Sequence, residues 1–596
     1  MADGGFNFDY DYGHLTFLSP WQKSSVAAVC AGINAKVWGL EKGPRYIAMP
    51  TGSGKTVGAV EAIRQHYADK RICFLTPYVD AVETVYNDVV ASIGSDMVGV
   101  YWSGCPLMNK DEALSRQVVI LTHQFVAHNP DRLQDRDLII VDEAIYSTND
   151  ESLGLSAFAS AMAWAQRTGE CVVEFEAAFA FANKMHNQRG LTSFQYIAPG
   201  REEDLSWASS LAKIEFWHCS QFISANDHVL DVQRFASALA NGMGFLSRGS
   251  LGGNRSNIKF CASQLSFPDL DKVVVLTASG WLLYEETKLF KPSFAAMQCW
   301  SKPSFANLSL TQLPDPNIGG HYSSWAQAHK VSQVEGYLDN LLRIIPETEI
   351  YLTCPLAILK NCLRQYLDLP VENNGDLLLP ATLSKLGKTI HVSHHDISVG
   401  SNKFKSSQAV VYLWENFKPS FVAVERHHTL TGRPVTQSSL ASANGQQLGE
   451  PYRSIKDVLL IENIVQHIGR GNIRNYDKDG ICGTMKAYIL CSEPRFEKLK
   501  AIYPDCTWQN AAHSNTHNRE ARVIRFLMTL EPKRHVSAAE VQAATGVEVR
   551  KIVTLLEGSR FLHQAGYRYV KGGRGRGKSS YFEPQKRIGG STKCPI

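Results

Sequence analysis

Two α/β domains, each built on a parallel sheet, are the fold that this sequence predicts, and three observations predict it. Short apolar runs alternate with helix-length segments, first over residues 45–145 and 272–280, then over 345–474. Several of those runs end in hydroxyl, glycine or carboxylate residues, where parallel sheets place their chemistry. The chain has 596 residues, enough for roughly three to five domains. The segmentation expected is a first α/β domain over 1–149 plus 263–330 and a mainly helical insertion over 150–262. A second α/β domain over 331–518 and a small basic module over 519–596 complete it.

The first run, Tyr46-Ile47-Ala48, leads into Met49-Pro50-Thr51-Gly52-Ser53-Gly54-Lys55-Thr56 and then a helical pattern from Val57 to about His66. Strand, glycine loop and helix in that order make a phosphate cradle. Gly52 and Gly54 let backbone N–H groups point at an anion, and the helix start adds positive potential. Thr51, Gly52, Ser53 and Gly54 would line the cradle. Lys55 would reach the β- and γ-phosphates of a nucleotide such as ATP, and the Thr56 hydroxyl would ligate Mg²⁺. Gln22, 33 residues upstream of Lys55, opens a helical pattern and is a candidate for the adenine edge.

The next runs, Arg71–Thr76 before Pro77 and Val118–Thr122, end in the hydroxyls Thr76 and Thr122. A fourth, Asp137–Val141, delivers Asp142 and Glu143 together. Phosphoryl transfer needs one carboxylate for the metal shell and one to orient or deprotonate the attacking water, which assigns Asp142 to Mg²⁺ and Glu143 to the water. In the insertion, Ser156–Thr168 and Val229–Ser247 read as helices. Lys272–Ser279 resumes the sheet pattern and supplies Thr277 and Ser279 beside the carboxylate strand.

In the second unit, Glu349–Thr353, Thr389–Ser393 and Ala409–Leu413 read as strands, and 426–454 as a long loop. His391, His394 and His395 lack a familiar metal spacing. Gln466, Arg470 and Arg474 recur at i, i+4 and i+8. On a continuous helix they would present one amide and two guanidiniums on one face, suited to phosphoryl charge.

Hydrophobic residues make up 44% and charged residues 20%, an ordinary globular balance, and the apolar runs are far too short to span a membrane. The acidic N-terminus has no signal-peptide core, so the cytoplasm is the expected compartment. Thirteen cysteines are scattered with no C-x-x-C, so buried free thiols are expected rather than zinc or iron–sulfur. The net charge of +4 is unevenly placed: from Ala521 onward there are 15 Lys and Arg against 5 Asp and Glu. A basic end on a mildly acidic body points to a polyanion partner, nucleic acid.

Together these residues resemble a superfamily 2 helicase from about Gln22 to Arg474. The resemblance implies two RecA-like domains with an ATP and Mg²⁺ site in their cleft. Pro50–Thr56 would be motif I, Thr76-Pro77 motif Ia and Asp142-Glu143-Ala144-Ile145 motif II. Thr277-Ala278-Ser279 would be motif III, Gly400-Ser401-Asn402 motif V and Gln466–Arg474 motif VI. Three residues separate Arg470 from Arg474 where the family has two, which makes Arg470 the expected transition-state arginine. A helical insertion between motifs II and III looks like the XPD/DinG branch, but only Cys73 and Cys105 stand where that branch has four cysteines.

The end of the chain reads as a winged helix. Val549, Ile552, Val553 and Leu556 would form a helix core face with Arg550 and Lys551 outward. A hairpin of Tyr567–Val570 and Ser580–Phe582 would carry Arg574, Arg576 and Lys578 at its tip. These cations, with Thr76, Pro77 and Thr122, are the expected nucleic-acid contacts. DNA is expected over RNA because a winged helix is attached. The rival expectations are an RNA remodelling enzyme and an ATP-gated DNA-binding switch that unwinds nothing.

Overall fold

The computed structural model describes residues 15–143, 151–187, 194–197, 205–214, 227–241, 243–248, 258–263, 269–288, 290–316, 318, 322, 325–372, 375–396, 404–416, 420–431, 449–450, 452–509, 523, 526–527, 530, 534–545, 567–570 and 580–584. The first sheet contains β1 (Arg45–Ala48), β2 (Ile72–Thr76), β3 (Val98–Tyr101), β4 (Val118–Thr122) and β5 (Leu138–Asp142). Four strands follow in the insertion: β6 (Glu151–Leu153), β7 (Phe194–Ile197), β8 (Met243–Arg248) and β9 (Ile258–Ser263). The chain then returns to the first sheet with β10 (Val273–Thr277) and β11 (Lys291–Pro292).

The first sheet has the order β11-β1-β10-β5-β2-β4-β3, with every pair parallel. All five residues of both β2 and β10 are buried. Helices cover both faces of such a sheet, and this is why these strands read as unbroken apolar runs. The order brings the C-terminal ends of β1, β10 and β5 side by side, where the phosphate loop, Thr277–Ser279 and the carboxylates stand.

The second sheet runs β14 (Ala381–Lys385), β15 (Lys388–His394), β13 (Glu349–Cys354), β16 (Ala409–Tyr412), β17 (Met485–Ile489), β12 (Leu308–Gln312) and β18 (Thr507–Gln509). Only β14 is antiparallel. The molecule is therefore α/β with two sheets of mostly parallel strands, as expected.

Three local expectations are corrected. Leu308–Gln312 falls in the stretch assigned to the first domain, yet it pairs with β17 and β18 in the second sheet. The insertion is mainly helical among the described residues, and β6-β9-β8-β7 form an antiparallel sheet beside its helices. Its helix from Val229 stops at Asn241, and Met243–Arg248 is a strand. The Gly242-Met243-Gly244 sequence is a poor helix, and the backbone of Met243–Arg248 pairs with β7 and β9 instead. The expected loop 426–454 is also shorter, because helices Ser420–Thr431 and Tyr452–Ile468 take its two ends. Ala423, Val424, Tyr452, Ile455 and Val458 from those helices share a core with Tyr46, Leu75 and Val141 of the first sheet.

At the C-terminal end, β19 (Val536–Ser537), β20 (Tyr567–Val570) and β21 (Tyr581–Pro584) form an antiparallel sheet in the order β19-β21-β20. Ser537 accepts the Glu540 N–H at the start of helix Ala538–Thr545. Val523, Leu527, Val536, Val541, Tyr567 and Phe582 make its small core. Arg550, Lys551, Arg574, Arg576, Lys578, the Gly400–Asn402 motif and Ala144-Ile145 lie outside the described residues. No described helix is long and apolar enough to cross a membrane.

Candidate nucleotide site between the two sheets

The loop after β1 takes the shape its glycines allow. Gly52 and Gly54 have φ of +88° and +90°, and Gly54 caps the helix Lys55–His66. Lys55 Nζ donates to the Met49 and Pro50 carbonyls at 3.1 and 3.2 Å, so the ammonium lies across the mouth of the loop. Burial holds its pKa below the ordinary value, against the pull of Glu143 and Asp142. Ser53 is fully buried, and its hydroxyl has no partner among the described residues. An orphaned hydroxyl, two left-handed glycines and a helix start are the donor set that a phosphate needs.

At the end of β5, the Thr56 hydroxyl donates to Asp142 Oδ2 at 3.5 Å. Burial, then the adjacent Glu143 carboxylate, pushes the Asp142 pKa up. A hydroxyl and a buried carboxylate side by side form an oxygen pair suited to a hard divalent cation, which would relieve that strain. Glu143 has φ +67° and donates its N–H to the Leu276 carbonyl at 2.7 Å. This unusual backbone turns its side chain across the cleft.

There the second domain meets it. Gln466 Nε2 donates to Glu143 Oε2 at 3.1 Å and to Ser279 Oγ at 2.6 Å. Arg470 Nη2 donates to Gln466 Oε1 at 3.2 Å. Gln466 and Arg470 are both buried. The expected continuous helix is corrected here: it ends at Ile468, and Asn472–Arg474 is a separate 3₁₀ turn. Glycines at 469 and 471 release the chain for close contact. A Cβ on Gly469 would stand 2.6 Å from Thr51 Oγ1, and one on Gly52 would stand 2.3 Å from the Arg474 carbonyl oxygen. The arginine turn therefore lies directly on the phosphate loop. Burial, then Arg470, lowers Arg474 to about 10, while Glu143 opposes the shift.

Lys55, Thr56, Asp142, Glu143, Gln466, Arg470 and Arg474 are thus brought together, although Arg474 reaches the site by a turn rather than a helix face. Three expectations need correction or refinement. Both ends of the Gln22 amide are engaged within the protein: Oε1 accepts the Ser19 N–H and Nε2 donates to the Gly52 carbonyl. Gln22 also anchors the glycine loop, and an adenine contact would use its second amide N–H and the other lone pair of its carbonyl. Thr76 is fully buried with its hydroxyl donating to the Tyr78 carbonyl, so Pro77 and Tyr78 hold the surface there. Thr122 caps the following helix by accepting the Phe125 N–H, and remains half-buried.

Sequence reading missed Trp21, whose ring packs 4.4 Å from Tyr476 and whose Nε1–H donates to the Ser301 carbonyl. An aromatic beside Gln22 was the available signal. A cavity of about 680 Å³ opens nearby, between Met49, Pro50 and Thr51 on one side and Ile473 and Tyr476 on the other.

It also missed His123. Thr76 pairs with Thr122 and Leu75 with Val141, so His123 stands level with Glu143, two strands away. Among the described residues neither ring nitrogen has a well-formed hydrogen bond. Burial dominates its titration, opposed by the Asp142 and Leu75 backbone and by Glu143, and lowers the pKa to about 4. Below the ordinary 6.5 the unfolded chain takes up a proton that the folded ring refuses until about 4, so stability falls as pH falls through that window. The loss should approach about 3 kcal/mol. Urea unfolding across this range should show a flatter acid limb for His123→Leu than for the wild type; parallel limbs would contradict the assignment.

Residues 16–166 match a family model described as the type III restriction enzyme res subunit. With the motif set, that match makes the chain similar to superfamily 2 helicases. No curated protein matches it in sequence. Among solved structures, S. tokodaii Xpd4 aligns at 13% identity over 82% of this chain and 99% of its own, with a TM-score of 0.45. An apo XPD structure aligns at 14% identity over 80% and 98%, with a TM-score of 0.46. S. cerevisiae Dbp5 bound to RNA and ADP BeF3 aligns at 10% identity over 85% and 93%, with a TM-score of 0.34.

Proposed function

We propose that this protein is a superfamily 2 motor that hydrolyses ATP in the cleft between its sheets and uses the cycle to move along or unwind nucleic acid, with DNA preferred. The observation that carries this reading is the chain Arg470–Gln466–Glu143, which joins a guanidinium of one domain to a carboxylate of the other. A site split in this way is complete only when the domains are together, so hydrolysis and domain motion are coupled.

In this reading the phosphate loop and Lys55 hold the triphosphate, and the apolar cavity beside Pro50 and Tyr476 seats the base. Thr56 and Asp142 are the residues that would hold Mg²⁺, which when bound neutralises phosphate charge. Glu143 orients and deprotonates the attacking water, and Arg470 meets the charge that develops on the γ-phosphoryl group. Opening after hydrolysis breaks the Gln466–Glu143 bond and lets the sheets separate, so repeated cycles ratchet a strand held across both. The decisive experiment is ATP-dependent strand displacement on duplexes with 5′ or 3′ tails of DNA or RNA. Displacement of DNA supports the reading, displacement of RNA alone makes it an RNA remodeller, and ATP-dependent binding without displacement makes it a switch.

The C-terminal module is assigned to duplex or fork binding as a winged helix. A chain ending at Asn518 should keep its unstimulated ATPase but lose affinity for forked DNA. Replacing Arg574, Arg576 and Lys578 with Ala should reproduce much of that loss and flatten the log–log salt dependence by about 0.9 per phosphate contact. Unchanged affinity and slope in the triple variant would turn this module into a protein-docking element.

A further inference from the structure

The helix Tyr452–Ile468 turns Gln466 toward the first domain, and the next residue, about 100° further round the helix, toward the second sheet. That residue is His467, and it is buried. Its Nε2 lies 3.1 Å from the His395 carbonyl and its Nδ1 lies 2.8 Å from the Tyr351 hydroxyl. A carbonyl only accepts, so Nε2 carries the proton and Nδ1 accepts from Tyr351. The second imidazole is held likewise. His395 Nε2 donates to the Trp414 carbonyl at 2.8 Å, and its Nδ1 lies 3.0 Å from the Thr353 hydroxyl.

The two rings stand 5.3 Å apart, and His395 stacks on Tyr412 at 4.3 Å. They tie the ends of β13, β15 and β16 to the last turn of the helix. Each ring nitrogen has a hydrogen-bond partner, and burial, then the neighbouring His395, holds His467 well below its ordinary pKa, so it stays neutral. Such a network is satisfied in one arrangement only, and a change at one member exposes an unpaired group in a dry interior.

We infer that the His395–His467 pair is a positioning device that fixes the Gln466–Arg470 turn to the second sheet, so that this domain delivers both groups to Glu143 as one body. The inference rests on the ATPase reading above. His467 touches no substrate: it acts through Gln466, one residue before it, and Arg470, three residues after. A neutral amide donor and acceptor can replace the ring, whereas an aliphatic side chain cannot.

The test is ATP turnover by the full chain in His467→Leu, His467→Gln and Tyr351→Phe, each also combined with Arg470→Ala and followed in single turnovers. His467→Leu should lower kcat by up to ~10²-fold with KM for ATP unchanged, because a small misplacement of a transition-state group has that effect. His467→Gln should recover most of the loss. In the Arg470→Ala background His467→Leu should cost clearly less than in the wild type, since one of the two groups it positions is gone. Tyr351→Phe keeps the ring that stacks 4.4 Å from Phe404, and so serves if His467→Leu does not fold. It should lower kcat severalfold with the same non-additivity. An unchanged kcat in Tyr351→Phe, or an equal loss with and without Arg470, would overturn the inference and leave the pair a core feature. A wild type without ATPase activity would instead sink the reading on which it rests.

Discussion

Lys55→Ala and Glu143→Gln are both expected to abolish ATP turnover, but with opposite effects on ATP binding. Lys55 lies across the loop mouth, donating to the Met49 and Pro50 carbonyls, where it would meet the expected phosphates. Its loss removes charge from the ground state, so ATP affinity should fall with turnover. Glu143→Gln is different. The amide oxygen still accepts from Gln466, so the bond between domains survives, and Thr56 and Asp142 are untouched. What disappears is the base. ATP should stay bound and the domains closed, so nucleic acid should stay clamped rather than released. Equilibrium ATP binding and steady-state turnover, measured side by side, separate the two. Wild-type-like hydrolysis by either variant would end the enzyme reading.

Arg470→Ala should cost ~10³-fold or more in hydrolysis, the scale of a lost transition-state arginine. Arg474→Ala should cost clearly less. Both arginines lie near Glu143 and Gln466, Arg470 buried and Arg474 half-buried, so proximity alone does not rank them. Arg470 is bonded through Gln466 to the base, and Arg474 stands beyond the helix end in the 3₁₀ turn whose backbone packs on Gly52. Single-turnover rates at saturating ATP compare the two directly. A larger loss at Arg474 would mean that the 3₁₀ turn, not the helix end, carries the transition-state group.

Much of the site was legible because its residues are forced by local chemistry. A glycine loop between strand and helix, or Asp142-Glu143 after four apolar residues, has few other uses, and each proves to stand at the end of its strand. What escaped depends on tertiary contact. Gln466, Arg470 and Arg474 recur at helical spacing, yet the helix ends at Ile468, and Gly469 and Gly471 follow where Thr51 and Met485 leave no room for a Cβ. Leu308–Gln312 looks like any apolar strand, and nothing local tells which sheet it joins. Met243–Arg248 continues a helical pattern, and only β7 and β9 make it a strand. His467 reads as one more residue of a motif, since its partners Tyr351 and His395 lie 116 and 72 residues away.

The central claim is that ATP hydrolysis in the cleft between the sheets is coupled to nucleic acid. It is tested most directly by steady-state ATP hydrolysis of the full chain with single-stranded DNA, with single-stranded RNA and with neither. The account predicts a slow basal rate that rises with single strands, more with DNA than with RNA, and that Glu143→Gln abolishes under every condition. A rate that neither nucleic acid changes, or hydrolysis that persists in Glu143→Gln, would contradict it.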